Sequence, residues 1–449
     1  MSTFERKSLF QLTYPLFLFS FMAIGVTFVD QILLANYSDD LAAAVSLANQ
    51  ILGVAYDLSG LFAVGTLIVL AQYLGRDQVD DAKAAVVTGM QASLAFCLVI
   101  SAILLIGAPF FADWINTPEE IRGDVIIYVY VIAGAMLFNG TIVTATAALR
   151  GFGYTLPIFV FGALANVLYL FLEYTLIFGE LGFPELGVYG AALSTLIVRI
   201  GMIAVLVFYL QYRIGIRLFT IPATFLAQAK RLVTMSYPSV AQNMVYNLYQ
   251  LAMVSLITVL GTGAVVTRSY TLTIVSLLSI ISFVIAQGAE VLVGYDRGAE
   301  QYDKAFRRTL RYAFITGAVN FVGAGLLVWQ ADLLIGLFTQ DPEVISGIKQ
   351  LLVLSLIVTP LNTINLIIFS ALKAVGDVNR PVVWNLALTV LIALPLGYLA
   401  VSVLDLGLVG LWYAYIAEEA LKTAAMLALW LRRKWEQYEV LDDTSPSAG

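Results

Sequence analysis

The chain has 449 residues, 60% of them hydrophobic and 12% charged, with a mean hydropathy of +0.89. Soluble globular chains carry about 25% charged residues, so lipid is the solvent here. With one cysteine (Cys97) and no histidine, there is no internal disulfide, no cysteine metal cluster, no histidine-based catalytic triad and no imidazole proton relay. Any protons must travel on carboxylates.

Apolar runs of membrane-span length fall at twelve places. The first, 12–36, carries Pro15, Phe19, Met22 and a single acid, Asp30. Arg6 and Lys7 lead straight into it, and it is too long for a cleavable leader. The second, 43–72, holds Asp57 and Phe62, and the third and fourth cover 84–111 and 122–147. The fifth, 155–178, carries Tyr169 and Glu173, and the sixth, 187–212, carries Arg199. A charged link near 213–230, with Pro222, precedes the seventh span at 231–259, where Asn243, Tyr246, Asn247 and Gln250 make a polar stripe at helical spacing. With no water in lipid, such a stripe is expected to face a cleft. The eighth, 265–294, has Glu290 near its end, where a gate or packing contact is expected; 308–330, 345–372 and 380–402 follow. The twelfth, 408–432, contains Glu418, Glu419 and Lys422, with Glu418 and Lys422 spaced to pair on one helical face. The tail after Trp435 reads as disordered.

Of the 24 Lys and Arg residues, 19 fall on one side of this topology and three (Arg122, Arg268, Lys349) on the other. Arg199 and Lys422 lie inside spans. The positive side is the cytoplasmic one, which puts both termini in the cytoplasm and the protein in the cytoplasmic (inner) membrane. The acidic pI of about 4.9 reflects acids gathered on the outer face and does not point to nucleic acid or another polyanion.

The sequence also repeats. At a shift of 223, Tyr14-Pro15 meets Tyr237-Pro238, GRDQVDDA (75–82) meets GAEQYDKA (298–305), and ALRGFG (148–153) meets ALKAVG (371–376). Six helices per repeat is an even number, so both halves insert the same way up. The expected fold is an all-α membrane protein of twelve transmembrane helices. They form two six-helix lobes, 1–222 and 223–432, related by a pseudo-two-fold axis along the membrane normal, with a tail at 433–449.

In these features the chain resembles the multidrug and toxic compound extrusion (MATE) family over its whole length. Pro15 lies fifteen residues before the acid of Phe28-Val29-Asp30, the family's spacing between its bending proline and its coupling carboxylate. Leu149-Arg150-Gly151 and the opening of the sixth span (Gly187, Gly190, Ala191, Ala192) also fit. The resemblance implies a hinge at Pro15 and coupling through Asp30. Family members often carry an Asn and an Asp four apart in the fifth span, where this chain has Tyr169 and Glu173. Some place acids in the seventh and tenth spans, where it has Tyr246 and Asn362. Coupling is therefore expected in the first lobe alone.

Counting at ~1.5 Å per residue, Asp30 and Glu173 both lie about 9 Å below the outer surface, and Asp57 and Arg199 near mid-membrane. Two carboxylates at one level in lipid oppose each other's ionisation, so one of Asp30 and Glu173 should hold a proton near neutral pH. Asp57 and Arg199 are expected to pair. The reading is a monomeric antiporter that exports amphipathic, mostly cationic small molecules against inward protons, with no cofactor and with membrane lipids as surroundings. Asp30 and Glu173 carry the proton. Tyr169, Asp57, Arg199, Phe19, Met22, Phe62 and the stripe of Asn243, Tyr246, Asn247 and Gln250 line the cavity. Sodium coupling is the alternative, a lipid-linked oligosaccharide flippase a weaker one. The missing histidines and the lack of a catalytic cysteine setting or a phosphate loop argue against an enzyme.

Overall fold

The computed structural model describes residues 7–222 and 224–441. Arg6 and the end of the tail, 442–449, lie outside the described residues. Among those described, every regular element is helical. Twelve long helices are present: α1 (Leu9–Tyr37), α2 (Asp39–Gly75), α3 (Val79–Trp114), α4 (Glu119–Gly151), α5 (Thr155–Phe178), α6 (Val188–Ile214), α7 (Phe225–Thr258), α8 (Thr262–Gly298), α9 (Tyr302–Trp329), α10 (Pro342–Ala374), α11 (Asn379–Val403) and α12 (Gly407–Leu431). Ten are long and apolar enough to cross a membrane on length and composition alone. The other two, α7 and α12, carry the polar stripe and the Glu418–Lys422 group. Large side chains such as Phe10, Ile106 and Phe208 remain exposed on the helix surfaces, as expected where lipid replaces water.

The internal repeat is written into the backbone. The starts of α8, α9 and α10 follow those of α2, α3 and α4 at the 223-residue shift found in the sequence. The turns repeat too. Asp77 (φ 60°) matches Glu300 (φ 57°), and Gly153 (φ 80°) matches Gly376 (φ 93°). Each pair closes its helix with the same bond. Gln78 N–H donates to the Tyr73 carbonyl and Gln301 N–H to that of Asp296; Tyr154 N–H donates to Leu149 and Asp377 N–H to Leu372. A left-handed residue followed by this long return bond is the Schellman ending, which satisfies the last carbonyls of a helix. Using Asp and Glu in place of Gly at two of these turns costs about 1–2 kcal/mol each.

Two compact units divide between Val240 and Ala241. The sequence placed the join near 213–230; the packing division falls later, just past Pro238 inside α7. In the first unit the core is built where α2, α3 and α4 meet, around Leu52, Ile132 and Met136. The start of α7 packs there as well. Ser236 Oγ accepts from the Gly65 N–H at 2.6 Å, and Thr88 Oγ1 donates to Gln228 Oε1 at 2.8 Å. Gly65 follows a 3₁₀ turn at Gly60–Phe62 that interrupts α2.

In the second unit one cluster gathers Tyr249, Met253 and Leu411, and another gathers Ile274, Ile348 and Leu352. α11 is irregular, with π turns at Thr389–Ala393 and Leu399–Val403. The segment after α12 differs from the expected disorder. Residues 434–441 fold back and pack, with Trp435 fully buried and stacked on Trp430 at 4.5 Å, and Val440 and Leu441 buried. Arg297 Nη2 donates to the Tyr438 carbonyl at 2.6 Å, and Arg380 lies over the Tyr438 ring.

Candidate functional site

α1 and α5 pack side by side in the first unit and bring three polar side chains together. Tyr169 Oη lies 2.5 Å from Asp30 Oδ1 and 2.9 Å from Glu173 Oε1. The i, i+4 spacing of Tyr169 and Glu173 puts both on one face of α5. Glu173 is fully buried, and its Oε2 has no hydrogen-bond partner among the described residues. Asp30 and Tyr169 are half-buried.

A phenol has one hydrogen, and here two carboxylate oxygens compete for it. Tyr169 can donate to only one of them. The second contact is a hydrogen bond only if a carboxyl hydrogen is donated back to the phenol oxygen. Two good contacts therefore need one proton on the Asp30–Glu173 pair in addition to the phenol's own.

Arg199, on α6, donates from Nη2 to Tyr56 Oη at 3.1 Å and lies 5.1 Å from the centre of the Tyr56 ring. Tyr56 is the chain neighbour of Asp57. An arginine over an aromatic face keeps its charge at low desolvation cost. Arg199 Nη1 has no hydrogen-bond partner among the described residues.

Pro15 is buried inside a continuous α1. Having no N–H, it leaves the carbonyl of Gln11 without its helical donor. Thr155 Oγ1, at the start of α5, fills that role at 3.1 Å. Nothing in the sequence spacing pointed to Thr155. Phe19 is half-buried and packs against Gly162, where any side chain would collide with its ring. Met22 is half-buried. Phe62 is buried edge-on against Phe96 at 6.1 Å, in the core.

In the second unit the stripe of α7 is exposed at Asn243, Tyr246 and Asn247 and half-buried at Gln250. Gln250 Nε2 donates to Tyr246 Oη at 2.6 Å, and Arg268 Nη2 donates to Gln250 Oε1 at 2.8 Å. Lys422 pairs with Glu418 as the spacing predicted. The sequence reading did not find that Tyr249 and Thr389 also donate to Glu418, at 3.0 and 2.8 Å. Glu290 pairs with Lys373 at 3.3 Å. Among the described residues no group of three or more Cys, Asp or Glu side chains is placed to hold a metal ion.

The MatE family model matches the chain twice, over residues 15–175 and 238–399. The two matches begin 223 residues apart. The uncharacterised transporter YisQ of Bacillus subtilis is 31% identical over 434 residues, covering 96% of this chain and 95% of that protein. The probable multidrug resistance protein NorM of Thermotoga maritima is 24% identical over 448 residues, covering 97% and 94%. The solved structure of a MATE protein in the straight conformation superposes with a TM-score of 0.83 at 18% identity over 95% of each chain. That likeness is one of fold, and it agrees with twelve helices in two lobes. The double family match and the full-length relatives identify this chain as a member of the MATE family, a membrane transporter and not an enzyme.

Proposed function

We propose that the protein exports amphipathic, mostly cationic small molecules in exchange for protons, with Asp30 as the coupling carboxylate and Glu173 as its partner. The observation that carries this reading is the single phenolic hydrogen of Tyr169 set between the two acids. With one shared proton the pair keeps one negative charge. Either a second proton or a cationic cargo neutralises that charge, and the two compete for it. The names of the NorM relatives, multidrug resistance proteins of Thermotoga maritima and Vibrio species, support a broad organic cargo.

In the cycle, a proton from outside neutralises the pair. This lowers the cost of holding it away from water, and α1 is free to bend at Pro15. The cargo leaves. The proton departs on the cytoplasmic side and the next cation takes its place. Phe19 and Met22, on the same helix as Asp30, offer apolar and polarisable surface without strict shape. Phe62 shapes the wall from behind. Asp57 and Arg199 set the local charge beneath the pair, and Asn243, Tyr246, Asn247 and Gln250 give the cargo polar contacts. The protein works as a monomer in the cytoplasmic membrane, with both termini inside.

Sodium coupling is the second reading. The unpartnered Glu173 Oε2 favours it, since a buried carboxylate oxygen suits a hard cation. Ethidium efflux from vesicles, under proton and sodium gradients imposed separately, decides between them. Efflux that follows the proton gradient supports the first reading. Efflux that follows sodium at clamped pH replaces it.

A further inference from the structure

The second unit buries a charge group that the coupling scheme above does not use. Glu418, Glu419 and Lys422 on α12 are 3%, 9% and 6% exposed. Two carboxylates and one ammonium leave one negative charge in excess. The two acids are not equivalent. Glu418 accepts from Tyr249 Oη (3.0 Å), from Thr389 Oγ1 (2.8 Å) and from Lys422 Nζ in a short contact. Three donors on two oxygens suit an ionised carboxylate, and Lys422 is its counter-ion.

Glu419 is poorly served by comparison. Its nearest cation, Lys422 Nζ, is 3.7 Å away, beyond hydrogen-bond distance. Its hydrogen bond from Asn365 Nδ2 is long, at 3.4 Å. A carboxylate this deep needs better partners if it is always ionised.

Asn365, on α10, supplies the second observation. It is 6% exposed, and its Oδ1 has no hydrogen-bond partner among the described residues. An ionised Glu419 takes a hydrogen from the Asn365 amide nitrogen. A protonated Glu419 needs an acceptor, and a half-turn of the same amide presents Oδ1 to it. One side chain thus serves both protonation states. The first π turn of α11 opens at Thr389, the donor to Glu418, and such turns recur at functional sites.

We propose that Glu419 is a proton-binding carboxylate of the second unit, served by Asn365 and set apart from the Glu418–Lys422 ion pair. The other groups around it fit that role. Asn362, also on α10, reaches Glu419 as a neutral amide, Tyr246 on α7 is the phenol that faces it, and Tyr249 is taken up by Glu418. Arg268, on α8, directs its guanidinium to Gln250 and Tyr415. Lys422 is already neutralised by Glu418. The proposal rests on the proton-driven reading of the transporter, but it concerns a different carboxylate in a different unit.

The test is infrared difference spectroscopy of the full-length protein in liposomes across a pH step, reading the protonated-carboxyl stretch. Wild type should lose intensity from two environments as pH rises. Glu419→Gln should abolish one component, and Glu419→Asp should restore it. Asn365→Leu should shift the frequency of that component without removing it, which keeps the test open if Glu419→Gln folds poorly. A Glu419→Gln spectrum identical to wild type would overturn the proposal. So would loss of the component on adding sodium at fixed pH, which would make the site a cation site. Asp30→Asn should abolish the other component; if it abolishes nothing, the first-unit reading fails while the Glu419 result stands.

Discussion

Thr155 donates its hydroxyl to the carbonyl of Gln11, the acceptor that Pro15 leaves without a backbone amide. The bond explains how α1 stays continuous across a buried proline. It also ties the proline turn of α1 to the first residue of α5, the helix that carries Tyr169 and Glu173. Thr155→Val keeps the shape and removes the donor. Losing one part-buried hydrogen bond costs about 0.5–1.5 kcal/mol, so the melting temperature in detergent should fall. In a Pro15→Ala background the new amide at position 15 takes over the Gln11 carbonyl, and Thr155→Val should then cost much less. Equal losses in both backgrounds would show that Thr155 acts elsewhere.

Tyr169→Phe removes one hydrogen from the Asp30–Glu173 pair and leaves the ring. A hydrogen bond to a charged group contributes about 1.5 kcal/mol or more, roughly tenfold in an equilibrium. Ethidium efflux driven by a pH gradient should fall by about that factor while expression and melting stay close to wild type. An unchanged rate would remove the phenol from the coupling centre.

Gly65 has no room for a side chain. A Cβ there would collide with the backbone carbonyl of Leu232 on α7, and backbone cannot yield as a flexible side chain can. Gly65→Ala should cost about 1–3 kcal/mol of stability through overpacking and weaken the Gly65–Ser236 bond. Ser236→Ala should cost less, because it removes an acceptor without forcing the helices apart. Thermal melts of both variants in detergent check the order.

The segment 434–441 behaves as part of the fold. Trp435 is fully buried against Trp430, Arg433 pairs with Asp303 at 2.7 Å, and Val440 sits on Gly376. Trp435→Ala should destabilise by about 3–5 kcal/mol, the usual cost of emptying a large aromatic site. A variant that melts like wild type would mean that the strap is dispensable.

Much of this molecule was legible in its sequence because lipid imposes long apolar runs that cannot be mistaken for surface helices. The 223-residue repeat aligned Asp77 with Glu300 and Gly153 with Gly376, and the structure makes each pair a matching left-handed turn. Asp30 and Glu173 could be brought to one level by counting depth along helices of known direction, while Tyr169 came from the family's spacing in the fifth span. Counting gives a level but not a rotation about the helix axis. Arg199 was placed level with Asp57, but its stacking on the Tyr56 ring could not be read from depth. Contacts set by helix rotation and by the backbone were illegible for the same reason, including Thr155 on the Gln11 carbonyl and Tyr249 on Glu418. The strap at 434–441 was hidden by its polar composition, since its burial rests on a few large side chains among charges.

Competition for one negative charge is tested most directly by weighing protons against cargo on the purified protein. In weak buffer, ethidium is titrated into wild type and into Asp30→Asn, and the protons released are counted against ethidium bound. At a pH low enough for the pair to hold its second proton, linkage between the two ligands predicts that wild type releases about one more proton per ethidium than the variant. Equal release from both proteins would contradict the account.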